Sequence, residues 1–157
     1  MRVKNVMTKD PSWCLPSDPT PKAARIMRDE DAGVVPVLES EQSGRVVGVV
    51  TDRDLCMNVI AEDRAPGSVT VEACMTATVV TCSPADAVKQ VMELMKQNQI
   101  RRVPVVDEQG RLQGIVSMAD LVARGDVKAT EAHDTLEKVS APSSEPSKPR
   151  ARSTRVA

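Results

Sequence analysis

The chain has 157 residues, 41% hydrophobic and 27% charged, with a formal net charge of −1. That balance describes a globular domain with a real core and gives no overall attraction to nucleic acid or to an anionic membrane surface. Trp13 is the lone aromatic residue, which excludes stacking of single-stranded bases on aromatic platforms but leaves aliphatic, proline and methionine side chains to sandwich a purine.

In chain order, Thr20, Ala23, Ala24 and Met27 give one apolar helical stripe, followed by apolar strands over Val34–Leu38 and Arg45–Thr51. A helix from Asp52 to about Glu62 closes this unit, and residues 63–73 form a connection. A short β-branched strand is expected at Thr78–Thr81. Ser83, Pro84 and Asp86 then read as the start signal of a second long helix, whose stripe is Val88, Val91, Met92 and Met95. Strands at Val103–Val106 and Leu112–Ser117 flank the turn Asp107-Glu108-Gln109-Gly110, and a helix starts at Met118.

This order is one unit written twice. Residues 6–38 align with 74–106, and residues 44–55 with 110–121, and 15 of these 45 positions are identical. A sheet of about three short strands cannot cover its own apolar face. The two copies are therefore expected to pack sheet to sheet about a pseudo-twofold axis, as one α/β (α+β) domain of two β-α-β-β-α units. The boundaries read as unit 1 over 1–62, the connection over 63–73, unit 2 over 74–127 and a C-terminal extension over 128–139. From residue 140 to 157 Ser, Pro, Lys and Arg dominate, and a disordered basic tail is expected.

The residues that carry chemistry recur at the junction of third strand and second helix. They read Gly48-Val49-Val50-Thr51-Asp52-Arg53-Asp54 and Gly114-Ile115-Val116-Ser117-Met118-Ala119-Asp120. One reading is structural: Thr51 with Asp54, and Ser117 with Asp120, form capping boxes that start helices without a ligand. The other is a ligand site. A helix start after a strand offers free N–H groups to an anion. A glycine inside a strand suggests close approach of another group. Arg53 in the first helical turn opposes the helix dipole unless an anion lies in front of it.

At these residues the chain resembles the cystathionine-β-synthase (CBS) domain family, as a stand-alone CBS pair or Bateman module. The resemblance runs from about Val3 to Gly125 and is carried by Val6-Met7-Thr8, Cys74-Met75-Thr76, Val35-Pro36-Val37, Arg102-Val103-Pro104-Val105-Val106 and the doubled motif. It implies a regulatory module that binds an adenosine-containing ligand (AMP, ADP, ATP or S-adenosylmethionine) between the units and signals through a change of shape or partner. By the same resemblance Asp54 and Asp120 hold ribose hydroxyls, and Thr51 and Ser117 touch ribose or phosphate. Adenine lies against Val35, Pro36, Val37, Val103, Pro104 and Val105, and Arg53, Arg101 and Arg102 meet phosphate. A homodimer through Leu55, Cys56, Val59 and Ile60 and an effector protein are implied; catalysis and a resident cofactor are not.

Other features point away from chemistry. Cys14, Cys56, Cys74 and Cys82 lack C-x-x-C spacing and His133 is the only histidine, so no metal site is expected. The start of the chain lacks an apolar signal stretch, and no run approaches the roughly 18 apolar residues of a membrane span. A cytoplasmic location follows as the expectation. Two rival functions remain: a scaffold that binds no nucleotide, and a thiol redox sensor using Cys14 and Cys82, which are equivalent in the two copies.

Overall fold

In the computed structural model residues 1–124 and 127–141 are described. The expected disordered tail falls outside them, apart from Ser140 and Ala141. The elements are β1 (Thr8–Lys9), α1 (Thr20–Asp29), β2 (Val34–Leu38), β3 (Val46–Thr51), α2 (Asp52–Leu55), α3 (Val88–Asn98), β4 (Arg102–Val106), β5 (Leu112–Ser117), α4 (Met118–Arg124) and α5 (Ala129–Ser140). A π-helical turn, Cys56–Ile60, prolongs α2, and 3₁₀ turns lie at Val3–Asn5, Pro66–Ser68 and Val71–Ala73.

The apolar stripes do what their spacing predicts. Val88, Val91, Met92 and Met95 of α3 are all buried, each worth about 1.5–3 kcal/mol over exposure. In α1 Thr20, Ala23 and Met27 are buried, while Ala24 faces out and Ile26 packs partly against the core. β2 pairs antiparallel with β3, placing Val35 opposite Val50, and β4 pairs with β5, placing Val103 opposite Val116. The hairpins turn on Gly44 (φ +62°) and Gly110 (φ +76°), a region that L side chains resist. Val46 N donates to Gly110 O at 3.0 Å, and the equivalent Leu112 N donates to Gly44 O at 2.9 Å. That reciprocal pair ties the two sheets together about the pseudo-twofold axis.

The repeat boundaries do not coincide with the packing boundaries at the start of each copy, because the leading segments are exchanged. β1 pairs with β5 of the second unit, Thr8 opposite Ile115 and Lys9 opposite Gly114. Thr76, which leads the second copy, bridges Val49 of the first. Val3 and Val6 therefore lie in the core with Met95, Val103 and Leu121, whereas Val69, Val71 and Cys74 lie in the core with Val35 and Val50. This exchange explains the strand glycines. A Cβ at Gly48 would come within 2.7 Å of Met75 Sδ, and one at Gly114 within 2.6 Å of the Thr8 carbonyl oxygen. The group that approaches so closely is the other copy's backbone and methionine, not a ligand.

Two local expectations need correction. Ser83-Pro84-Ala85-Asp86 is a turn and not the cap of α3: Ser83 N donates to Asp86 Oδ2 at 2.8 Å, and the helix begins only at Val88. The turn presents its carbonyls to the exchanged segment, with Val3 N donating to Asp86 O and Lys4 N to Pro84 O. Thr78–Thr81 is irregular rather than a strand, since the chain joins the sheets only by single bridges at Thr76 and Cys82. The C-terminal extension, for which no element was expected, is the helix α5, which reaches Ser140 and buries Ala132, Thr135 and Val139. Its spacing, i, i+3 and i+7, was legible but shallow beside so many charges.

Candidate functional site

Both capping boxes are complete. Asp54 N donates to Thr51 Oγ1 at 3.1 Å and Thr51 N to Asp54 Oδ2 at 2.9 Å. In unit 2 Asp120 N donates to Ser117 Oγ at 3.1 Å, while Ser117 N donates to Asp120 Oδ2 at 2.9 Å. The same Oδ2 accepts from the Ser117 hydroxyl at 2.5 Å. In both aspartates only Oδ2 is engaged, so Oδ1 keeps its acceptor capacity among the described residues. At α2 the expected backbone anion site is already satisfied. Asp52 N donates to Gly33 O, Arg53 N to Asp52 Oδ1 and Asp54 N to Thr51 Oγ1. An anion in front of α2 must be met by side chains.

Those side chains are present. A cleft of about 660 Å³ lies between the units, with Thr51, Asp52 and Arg53 on one side and Arg101, Arg102 and Pro104 on the other. Val34, Val49, Val79, Val80 and Ile100 supply apolar lining, enough to hold a flat heterocycle without aromatic stacking. Arg102 reaches over Gly33, where a Cβ would sit 3.4 Å from its Nη1 and 3.2 Å from Asp52 Oδ2. Arg53 and Arg102 make no side-chain hydrogen bond or ion pair among the described residues; Arg101 Nη2 donates to Ser140 Oγ at 3.0 Å.

Of the residues singled out from sequence, the cleft gathers Thr51, Arg53, Arg101, Arg102 and Pro104. Asp54 caps α2 one residue beyond Arg53, its side chain partly exposed. Val35, Val37, Val103 and Val105 have no exposed surface and belong to the two cores. Pro36 is buried on β2, at the position equivalent to Pro104. Ser117 and Asp120 build the second junction and are not among the residues lining this cleft, although Ser117 pairs in the ladder with Arg102, which is. There Met118 replaces exposed Asp52 and is buried in the core of unit 2, and Ala119 replaces Arg53, so the two junctions differ in charge. Sequence reading missed Val79, Val80, Gln99, Ile100 and Val139 as lining residues. The apolar pair at 79–80 was the available signal, read instead as a strand.

The remaining reactive groups are placed as structure. Cys14 and Cys82 sit in different cores. Burial pushes the Cys14 thiol up to about 11, with Asp18 adding to the shift, and burial, with Asp86, pushes Cys82 up to about 12. Both are held as unreactive thiols at neutral pH, which removes the support for a redox pair. Val59, expected in a dimer contact, is only 3% exposed and packs in the core of unit 1. His133 is exposed on α5. Among the described residues no three His, Cys, Asp or Glu side chains cluster as a metal site would require. Nor is any helix there long and apolar enough to cross a membrane.

Comparison with known proteins agrees with this architecture. The chain is 37% identical over 120 residues to the Bacillus subtilis protein YlbB, covering 76% of this chain and 79% of that one. Its fold matches a crystal structure of Hypoxic Response Protein I with two coordinated zinc ions, at 26% identity and TM-score 0.71 over 79% of this chain and 98% of that one. It also matches a CBS domain pair solved in complex with 5′-methylthioadenosine and S-adenosyl-L-methionine, at 29% identity and TM-score 0.67 over 78% and 93% of the two chains. The CBS domain family matches twice, over residues 3–61 and 71–126, and the chain belongs to the CBS domain family.

Proposed function

We propose that this CBS pair is a regulatory module that binds an adenosine-containing ligand in the cleft between its units and acts without catalysis. The observation that carries the proposal is the cleft with two guanidinium groups, Arg53 and Arg102, that have no side-chain partner among the described residues and face an apolar wall. Cations left unpartnered beside a cavity favour an anionic occupant, and a phosphorylated or carboxylate-bearing adenosine offers both the charge and the flat apolar body. The related CBS pair solved with 5′-methylthioadenosine and S-adenosyl-L-methionine supports this ligand class.

The base lies against Pro104, Ile100 and Val34, and phosphate meets Arg53 and Arg102. Asp54 accepts from ribose through Oδ1, with Oδ2 retained for the cap. Met118 and Ala119 leave the other junction without the charged pair, so the cleft bearing Arg53 binds more tightly. No metal takes part. Output passes to an effector protein, and the chain pairs with a second copy through exposed Met57 and Ile60. The complete capping boxes favour a second reading, a scaffold whose caps are only caps.

Calorimetry with AMP, ADP, ATP, S-adenosylmethionine and adenosine decides between them. Arg53→Ala should weaken the best phosphorylated ligand about tenfold and adenosine little, since a hydrogen bond to a charged group is worth about 1.5–3 kcal/mol. Asp54→Asn should weaken both. No heat with any of the five at millimolar concentration would leave the scaffold reading standing.

A further inference from the structure

The helix α5 has no counterpart in the first copy. There the chain leaves the π-helical turn and covers α1 with the Pro66–Ser68 turn, whose Pro66 O accepts from Thr20 Oγ1 at 2.9 Å. After unit 2 the chain instead lays α5 along α3. Ala132, Thr135 and Val139 face inward and are buried, and Thr135 satisfies its hydroxyl on Glu131 O at 2.7 Å. Lys96 on α3 pairs with Asp134 at 2.9 Å, and Lys89 with Glu131 at 3.1 Å. Lys96 is only 13% exposed in its pair with Asp134, whereas Lys89 is 69% exposed. The outer pair aligns the helix more than it holds it, so docking rests on the short apolar contact and the part-buried Lys96–Asp134 pair.

The C-terminal end of α5 stops at the cleft. Val139 is one of its lining residues while also part of the core of unit 2. Ser140 Oγ accepts from Arg101 Nη2 at 3.0 Å, and the Ala141 carbonyl accepts from Gln99 Nε2 at 3.4 Å. Arg101 and Gln99 both line the cleft themselves. The same handful of residues thus forms the rim of the cleft and the seat of the helix end.

We infer that α5 is the third wall of the cleft, and that ligand occupancy and docking of α5 stabilise one another, making α5 the element through which occupancy is read. This rests on the cleft being an adenosine-ligand site. A ligand in the cleft gains apolar contact with Val139 only when α5 is docked, and a docked α5 holds Arg101 at the rim through Ser140. By linkage, whatever α5 adds to ligand affinity the ligand adds to α5 docking. A partner that competes for the inward face of α5 would then sense the ligand, although it touches neither CBS motif.

The test uses the full chain and hydrogen–deuterium exchange over residues 129–141, with and without AMP, ATP or S-adenosylmethionine. Calorimetry on the same samples reports binding. The expected result is slower exchange in α5 with whichever of the three binds, and about tenfold weaker binding in Ala132→Glu, which undocks the helix. Val139→Ala, which shortens the wall and thins the contact of α5 without placing a charge in it, should weaken binding by a smaller factor; it guards against Ala132→Glu failing to fold. If a nucleotide binds the wild type and α5 exchange is unchanged, or Val139→Ala and a folded Ala132→Glu bind like wild type, the inference is overturned while the ligand reading survives. If none of the three binds at millimolar concentration, and ADP and adenosine do not bind either, both fall together.

Discussion

Replacing Gly114 by alanine isolates the contribution of the exchanged first strand. A Cβ there would lie 2.6 Å from the Thr8 carbonyl oxygen and 2.9 Å from Met7 Sδ; at Gly48 the nearest atoms are Met75 Sδ at 2.7 Å and the Thr76 carbonyl at 3.2 Å. A thioether at the end of a flexible side chain can swing aside. A carbonyl in a β ladder cannot move without disturbing the pairing of Thr8 with Ile115 and of Lys9 with position 114. Overpacking of this kind costs about 1–3 kcal/mol, and alanine returns about 0.4–1 kcal/mol by restricting the unfolded chain. With backbone as the obstacle, the net loss at 114 is about 2 kcal/mol, and at 48 it is about 1 kcal/mol or less. For a chain of this size each kcal/mol shifts the melting temperature about 2–4 °C. Gly114→Ala should therefore melt about 4–8 °C below wild type in the absence of ligand, and Gly48→Ala should lose less than half of that. Calorimetric melts of the two variants make the comparison. Equal stabilities, or a larger loss at 48, would refute the reasoning. So would an unchanged melt at 114 with lost nucleotide affinity, since that would return the glycine to the ligand.

The buried thiols predict a pH dependence of stability. Because burial raises Cys14 to about 11 and Cys82 to about 12 from an ordinary value of 9.0, the folded state holds these protons longer than the unfolded state does. Their contribution is complete below pH 9 and fades as pH rises toward the folded values. With no tyrosine in the chain to titrate in the same range, urea melts should show a decline above pH 9 that Cys14→Ala and Cys82→Ala reduce; an identical decline in both variants would contradict the assignment. In native protein at pH 8 a thiol reagent should label exposed Cys56 and leave Cys14 and Cys82 unmodified. For the dimer, Ile60 is 71% exposed, and Ile60→Glu should give a folded monomer by light scattering. Val59→Glu would instead unfold unit 1, and a wild-type monomer would defeat the proposed contact.

The repeat, the helical stripes and both hairpins were legible because each follows from local periodicity within one copy. What pairs across copies was not. Aligning one copy with the other shows that Thr8 matches Thr76; it cannot show that Thr8 pairs with β5 while Thr76 bridges β3. Gly48 and Gly114 accordingly looked like openings for a ligand. The same limit explains the helix starts: Ser83 and Asp86 carry the pattern of a cap, but the carbonyls of that turn are claimed by a segment about 80 residues away in sequence, Val3 and Lys4.

The middle strands show where a signal existed and needed one more step. Side chains alternate across a strand, so Val35 and Val37 must face opposite to Pro36, and Val103 and Val105 opposite to Pro104. Assigning all six to an adenine wall put both faces of each strand in one place. Once the valines are given to the cores, as the opposing Val50 and Val116 require, only the proline face and the residues flanking it are left for a ligand. Val34, Arg102 and Pro104 are the members of those two strands that line the cleft. Much of the remaining lining comes from residues 76–80 and from the end of α5, segments outside any hairpin. The two halves of the repeat thus contribute a symmetric frame, and the asymmetry between the two junctions enters through Arg53, Met118 and a helix for which the first copy has no counterpart.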